Sequence, residues 1–401
     1  MIGSNRQGGD LGENLQAFRD EVRAWLTANA PVGWREKMAG ADGDGFVAFQ
    51  REWFAALAPS GYATPHWEKG WVGGGRSLAE QVVIFEEMAR ADAPRLLLHF
   101  ISLYHAAMTI SHWGRDDQKR RHLPAIIAGS VWCQGFSEPN AGSDLASLRT
   151  RAERKGDRYI VNGQKIWSTM GQYADWCLLL VRTSTDGPKQ AGITYLLMDM
   201  KSKGVVPRPI RQITGDEEFN EVFLEDVEVP VENRLGEEGE GWKVAQTTLS
   251  SERGLTILEL AERMNRALWR LMEALASHGR NTDAQFRREA VGVQLRIDAL
   301  RAMLADFMAR SEAGSELVGA SSMIKHYYAQ TLREFTQLGL RAQGLPGQEQ
   351  SPMTLGGGHE TGNWMVDFLN SYMWTIAGGT NEIQRTIISE RVLKMPREKL
   401  S

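Results

Sequence analysis

The spacing of apolar residues changes period twice along this chain, and that change orders its parts before any motif is considered. Near the start, Leu15, Phe18, Val22 and Leu26 recur at the spacing of one helix face, and Leu78, Val82, Phe85 and Ala89 repeat the pattern. The run 95–113, rich in Leu, Ile, His and Met, reads as a buried helix, too short and too polar to cross a membrane. From about Gly129 to Glu237 the texture is that of strands. Tyr159-Ile160-Val161 and Gln164-Lys165-Ile166-Trp167 flank Asn162-Gly163, which predicts a two-residue hairpin there. The runs 177–181 and 193–198 are short and apolar, 205–211 alternates, and Val222, Leu224 and Val227 are punctuated by charge before Pro230. The glycine-rich stretch 236–241 reads as a linker or turn.

Beyond it the helical period returns. Ile257, Ala261, Met264, Leu268, Leu271 and Leu275 form one stripe; Phe286, Ala290, Val293, Ile297, Leu300, Leu304 and Phe307 form another. So many apolar positions in step predict the helices of a packed bundle. The expected fold is therefore mainly α with a central β domain: a helical domain over 1–130, a β domain over 131–236 and a helical bundle over 237–401.

A chain of 401 residues suits two or three packed domains. A net charge of −4 leaves no basic excess to neutralise a phosphate backbone, so nucleic acid is not an expected partner. Cys133 and Cys177, the two cysteines, have no metal-ligand spacing and point to neither zinc nor a disulfide framework. The first sixteen residues hold no apolar run, and no stretch of 18 apolar residues occurs, so neither a secretory signal nor a membrane span is expected and the expected compartment is the cytoplasm.

Four segments are candidates for chemistry. Trp132-Cys-Gln-Gly-Phe-Ser-Glu-Pro-Asn-Ala-Gly-Ser-Asp144 is a small, polar loop between apolar flanks, able to present N–H groups and hydroxyls to a ligand. Trp167-Ser168-Thr169 closes a strand with a ring that could stack and a hydroxyl that could bond a ring nitrogen. Gly378-Gly-Thr-Asn-Glu-Ile-Gln-Arg385 opens a helix, with capping-box spacing between Asn381 and Gln384 and free N–H groups suited to a phosphate. Glu252-Arg253 lies off the Ile257 stripe when that stripe is extended back at 100° per residue. Taken singly, each is equally a surface loop, core packing, a plain helix cap and a solvated carboxylate.

Together and in order, these segments resemble the acyl-CoA dehydrogenase family. The likeness runs through His112-Trp-Gly-Arg-Asp-Asp-Gln-Lys119, Leu123-Pro124 and Ala128-Gly129, then Phe136-Ser-Glu-Pro-Asn-Ala-Gly-Ser-Asp144 with Ser137 where the family has Thr. It continues through Asn162-Gly-Gln-Lys-Ile-Trp-Ser-Thr169, Gly241-Trp242 and Gly379-Thr-Asn-Glu-Ile-Gln-Arg385. The resemblance implies an N-terminal helical domain, a β-barrel-like middle domain and a C-terminal four-helix bundle, with FAD between the last two and partly held by a neighbouring subunit. It implies that Gln134, Phe136, Ser137, Gly142, Ser143, Trp167, Ser168, Thr169, Thr380 and Gln384 contact FAD, with Trp167 against the ring. Ser143, Arg253 and Gly378 are implied to meet the acyl-CoA. It also implies removal of two hydrogens from the Cα–Cβ bond of an acyl thioester, a carboxylate taking the α-proton while flavin takes the hydride, and electrons passing to an electron-transfer flavoprotein.

The chain departs from the family's commoner pattern. The family's usual base lies in a Tyr-Glu-Gly-Thr tail, which here reads Ala377-Gly378-Gly379-Thr380, so Gly378 replaces the glutamate. A second family arrangement, as in isovaleryl-CoA and long-chain members, takes the base from the first bundle helix just before an arginine; Glu252-Arg253 matches it and makes Glu252 the expected base. The family's Arg-x-x-x-Gly and Gln-x-x-Gly-Gly segments are matched neither by Leu275-Ala-Ser-His-Gly279, with Arg280 beside it, nor around 341–347. Such departures resemble divergent bacterial members, some acting on bulky or branched substrates and some as heteromers. The expected assembly is a homodimer or homotetramer, with a heteromer of paralogous chains as the variant. The rival functions are an oxidase of the same fold and a non-catalytic partner subunit.

Overall fold

A computed structural model of the chain describes residues 6–38, 40–71, 73–251, 255–277, 283–315, 317–345 and 363–396. The first stripe lies on α1 (Arg6–Asn29) and the second on α4 (Leu78–Arg90), with α2 (Trp34–Met38) and α3 (Gly43–Leu57) between. Phe18, Val22 and Leu26 are buried, as are Phe85 and Ala89. Helix α4 starts where Ser77 and Glu80 exchange capping-box bonds.

The run 95–113 departs from the single helix expected. Residues 95–98 are irregular, and the helix opens as a π-helix, Ile101–Ala106, before continuing as α5 (Ala107–Trp113) and, after a turn, α6 (Asp116–Ile127). All six π-helical residues are buried. Short π segments mark places where packing re-aims side chains, commonly at functional sites.

Eight strands follow: β1 (Trp132–Gly135), β2 (Arg151–Lys155), β3 (Arg158–Thr169), β4 (Trp176–Arg182), β5 (Ile193–Asp199), β6 (Val205–Ile210), β7 (Phe219–Pro230) and β8 (Arg234–Leu235). They form one mixed sheet in the order β6-β7-β3-β2-β4-β5-β8, with β1 added parallel to β4. Cys177, Leu179 and Val181 of β4 join Tyr159, Val161, Val222 and Leu224 in a core enclosed by the sheet. Leu178 and Leu180, on the opposite face, pack into the helical core. A strand buried on both faces reads as an unbroken apolar run, which is what 177–181 showed. Pro207 and Pro209 sit on β6, an end strand whose free edge needs no donor.

The Asn162-Gly163 hairpin is not there. The chain turns at Gly156-Asp157 instead, with Lys155 opposite Arg158 and Gly156 at φ +61°. Strand β3 runs straight through 162–163 with a register shift against β7. The asparagine amide bonds Asp226, whose N–H returns to Asn162 Oδ1, both at 2.9 Å. A Cβ on Gly163 would lie 2.5 Å from Thr150 Oγ1. The freedom that makes Asn-Gly a turn former here lets a third strand end approach closely.

The bundle is built from α7 (Gly241–Ser251), α8 (Leu255–Ser277), α9 (Ala284–Glu312), α10 (Ala320–Gln343), α11 (Trp364–Ser371) and α12 (Asn381–Ile387). Both long stripes are core: every member of the α8 stripe is buried, and on α9 Ala290, Val293, Ile297, Leu300 and Leu304 are. Helix α4 packs on α8, so the first and last helical segments share one continuous core with the outer face of the sheet.

Candidate active site

The loop 136–144 is held by a buried ion pair. Glu138 and Ala141 exchange backbone hydrogen bonds at 3.1 and 3.0 Å, closing a tight turn that leaves Gly142 and Ser143 exposed. The Glu138 carboxylate accepts from Arg149 N at 2.6 Å and Thr150 N at 2.8 Å. Lys165, on β3 and 0% exposed, brings its Nζ to 2.8 Å from Glu138 Oε1 and 3.2 Å from Phe136 O. Burial pushes the Glu138 carboxyl up, but the Lys165 ammonium and the hydrogen bonds from Thr150 and Arg149 outweigh it and hold it below the usual carboxylate range. Burial also lowers Lys165, with Glu138 opposing.

The same strand carries the tryptophan. Ile166 N donates to Ser137 O at 2.9 Å, stitching β3 to the loop. Between Lys165 and Ser168 the β3–β7 register slips, two residues of β3 facing one of β7. Trp167 occupies that bulge at φ +62° and stands 55% exposed, its ring edge-on to Phe219. A bulky residue in the left-handed region is strained, and it persists because the bulge turns a large flat ring outward. Thr169 is half-buried. Ser168 faces inward, fully buried, and its Oγ has no hydrogen-bond partner among the described residues, so its side chain is not presented beside the indole. Gln134, half-buried on β1, has its Oε1 2.9 Å from His105 Nδ1; Phe136 is buried with its ring edge-on to Tyr195.

The tail is a separate construction. Thr380, not Asn381, is the N-cap of α12 and accepts from Ile383 N at 3.2 Å, one residue earlier than the capping box read from the sequence. Gly378 and Gly379 have φ of +65° and +85°. Gln384, fully buried, donates Nε2 to Gly378 O at 2.8 Å, while its Oε1 has no partner among the described residues. Lys325 Nζ donates to Gly379 O at 2.7 Å, and α12 packs on α10. Thus 134–143 and 167–169 come together within this chain, and 378–384 forms a second patch. Glu252, Arg253 and Arg280 lie outside the described residues.

A small cavity of about 20 Å³, partly open to solvent, lies between α4, the segment 94–104 and α8. Leu57, Tyr62, Phe85, Met88, Leu96 and Phe100 give it apolar walls; Arg95, Tyr104, Glu259 and Arg263 give it a polar side. The π-helix joins it to the loop, since Tyr104 lines the cavity and the next residue, His105, reaches Gln134. Sequence reading singled out none of Lys165, His105, Arg95 or Tyr104. A lysine at the inward register of Tyr159 and Val161 was the available signal for the first.

An outward indole, an exposed Gly-Ser turn with open space at Gly142 and a threonine beside the ring suit a flat, hydrogen-bonding cofactor. Comparison with known proteins decides which. Three family models match in succession: the acyl-CoA dehydrogenase N-terminal domain over 12–130, middle domain over 133–227 and C-terminal domain over 239–393. The chain belongs to the acyl-CoA dehydrogenase family. Acyl-CoA dehydrogenases are FAD-dependent oxidoreductases acting on CH–CH groups, and this site fits that cofactor. The chain is 38% identical to the acyl-CoA dehydrogenase IpdE1 of Mycolicibacterium smegmatis, covering 96% of this chain and 98% of that one. It is 39% identical to IpdE1 of Mycobacterium tuberculosis, covering 96% and 99%. Among solved structures, it resembles the Tcur3481-Tcur3483 steroid acyl-CoA dehydrogenase with a TM-score of 0.84 at 28% identity, covering 96% and 98%. The ChsE4-ChsE5 complex of Mycobacterium tuberculosis matches at 0.80 and 29%, covering 96% and 98%. No helix among the described residues is long and apolar enough to cross a membrane, and no His, Cys, Asp and Glu cluster there could hold a metal.

Proposed function

We propose that this acyl-CoA dehydrogenase oxidises a bulky acyl-CoA thioester to the trans-2-enoyl-CoA, with Glu252 as its base and an electron-transfer flavoprotein as its acceptor. The observation that carries the reading is the outward Trp167 bulge stitched to the loop 136–144, within a chain that matches the family along nearly its whole length. Trp167, Thr169, Gln134, Ser137, Gly142 and Ser143 hold the flavin from this chain. Thr380, Gln384 and the glycines at 378–379 form the patch a neighbouring subunit presents. When bound, FAD supplies the hydride acceptor.

Removing the α-proton requires a carboxylate close to the substrate, and a position kept dry makes that carboxylate a stronger base. Gly378 has no side chain to offer, so Glu252, at the start of the bundle, takes the role. Arg253 and Ser143 meet the CoA-bearing part of the substrate, and the apolar walls between α4 and α8 take the acyl group. The steroid enzyme and the two-chain complexes among the structural relatives support a ring-bearing acyl group and a heteromeric assembly.

The test is anaerobic mixing of the FAD-loaded protein with ring-bearing and straight-chain acyl-CoAs while flavin absorbance is followed. Bleaching by one or more is expected, and Glu252→Gln should slow it by about 10²–10⁴-fold while FAD stays bound. Wild-type rates in Glu252→Gln rule out that base. Peroxide formation in air points to the oxidase reading. Bleaching only after a paralogous chain is added points to a heteromer.

A further inference from the structure

The cavity between α4 and α8 ends in charge, which an acyl chain of hydrocarbon alone would not need. Arg95 is 7% exposed, and its guanidinium makes no hydrogen bond or ion pair among the described residues. Arginine keeps its charge at any physiological pH, so a buried guanidinium without a hydrogen bond calls for an acceptor. Tyr104 is buried beside it, stacked on His66 with ring centroids 4.8 Å apart, and its hydroxyl likewise has no hydrogen bond among the described residues. Glu259 is committed elsewhere: its carboxylate takes Arg263 Nε at 2.9 Å, and Arg263 also donates to Ala93 O at 2.7 Å. With two arginines and one glutamate, the polar side carries a net charge of +1. Arg95 also feels Glu218, whose carboxyl is pushed up to about 8 by burial and the nearby Asp216 against the pull of Arg95.

We infer that Arg95 and Tyr104 form a subsite for an oxygen acceptor, a ketone or a carboxylate, at the end of the acyl group farthest from the thioester. The inference rests on the proposed acyl-CoA reading and names its substrate more closely. Two donors directed into one cavity bind a carbonyl or carboxylate oxygen where an apolar pocket would bind neither. A site built to hydrogen-bond an oxygen rejects the analogue lacking it, because its donors are then left buried and unmet.

The test uses three CoA thioesters of similar size: cyclohexanecarboxyl-CoA, 4-oxocyclohexanecarboxyl-CoA and 4-carboxycyclohexanecarboxyl-CoA. Binding to the FAD-loaded protein is measured by calorimetry and flavin bleaching is followed separately. The oxo or carboxy ester should bind roughly ten- to a hundredfold tighter than the plain ring, the span of a hydrogen bond to a charged group. A carboxylate source shows as preference for the carboxy ester, a ketone source as preference for the oxo ester. Arg95→Met should bring the ratio close to one, and Arg95→Lys should keep part of it. Tyr104→Phe, which keeps the ring and removes a hydroxyl that supports no fold contact, should lower the ratio severalfold. Equal binding of all three esters by the wild type, or an unchanged ratio in Arg95→Met and Tyr104→Phe, overturns the subsite. Preference without bleaching leaves the subsite standing and sinks the dehydrogenase reading. Bleaching without preference does the reverse, and failure of all three to bind overturns both.

Discussion

Lys165→Met is the most informative perturbation of the flavin loop, because its cost can be worked from the contacts. The lysine is wholly buried and Glu138 is 9% exposed, so solvent screens their interaction little. Methionine fills a similar volume and removes two hydrogen bonds, one to Glu138 and one to Phe136 O. What remains is a buried carboxylate with the N–H groups of Arg149 and Thr150 and no cation. Breaking a buried pair from one side costs about 3–5 kcal/mol. Thermal melting reads this at roughly 2–4 °C per kcal/mol for a unit of 150–250 residues.

The pH dependence separates this cause from lost packing. In the wild type Glu138 is held below its usual value, so its contribution to stability is present above the unfolded pKa and is lost as pH falls through the folded one. Without Lys165 burial dominates and the folded pKa rises above the unfolded one, so the variant gains relative stability as the carboxyl protonates. The gap in melting temperature should therefore narrow between pH 7 and about pH 4.5. Glu138→Gln combined with Lys165→Met should recover about 0.5–3 kcal/mol relative to the sum of the single changes. A constant gap across pH together with strict additivity would refute the argument.

Trp167→Ala should weaken FAD retention about two- to tenfold, the worth of roughly 0.5–1.5 kcal/mol beyond area burial, as read by equilibrium dialysis of released flavin. Trp167→Gly should lose the same affinity while melting no lower than Trp167→Ala, since glycine accepts φ +62° without strain. Trp269 on α8 and Val291 and Leu295 on α9 stand 52%, 58% and 64% exposed, and the bundle is expected to bury such surface between subunits. Leu295→Glu should then lower the mass seen by light scattering, and a wild-type monomer that holds FAD tightly would reject the shared-site reading.

The alternation of helix, strand and helix was legible in the sequence because burial of one face imposes a period, and the period survives in the order of residues. The stripes on α1, α8 and α9 appear in the core where their spacing put them. The loop 136–144 and Trp167 were legible as candidates through residue type. Their meeting was less so, since it rests on Ile166 bonding Ser137 and on a lysine whose counter-ion lies 27 residues away. Asn162-Gly163 misled because backbone freedom serves a bulge as readily as a turn, and only the approach of Thr150 decides between them. The run 95–113 carries no local sign that its helix opens with a π turn aiming Tyr104 at one cavity and His105 at Gln134. Arg95 is only the first residue of a run read as a buried helix until α8 places Glu259 and Arg263 across the same cavity. Periodicity is local and can be read along the chain; a buried charge takes its meaning from partners that only folding brings within reach.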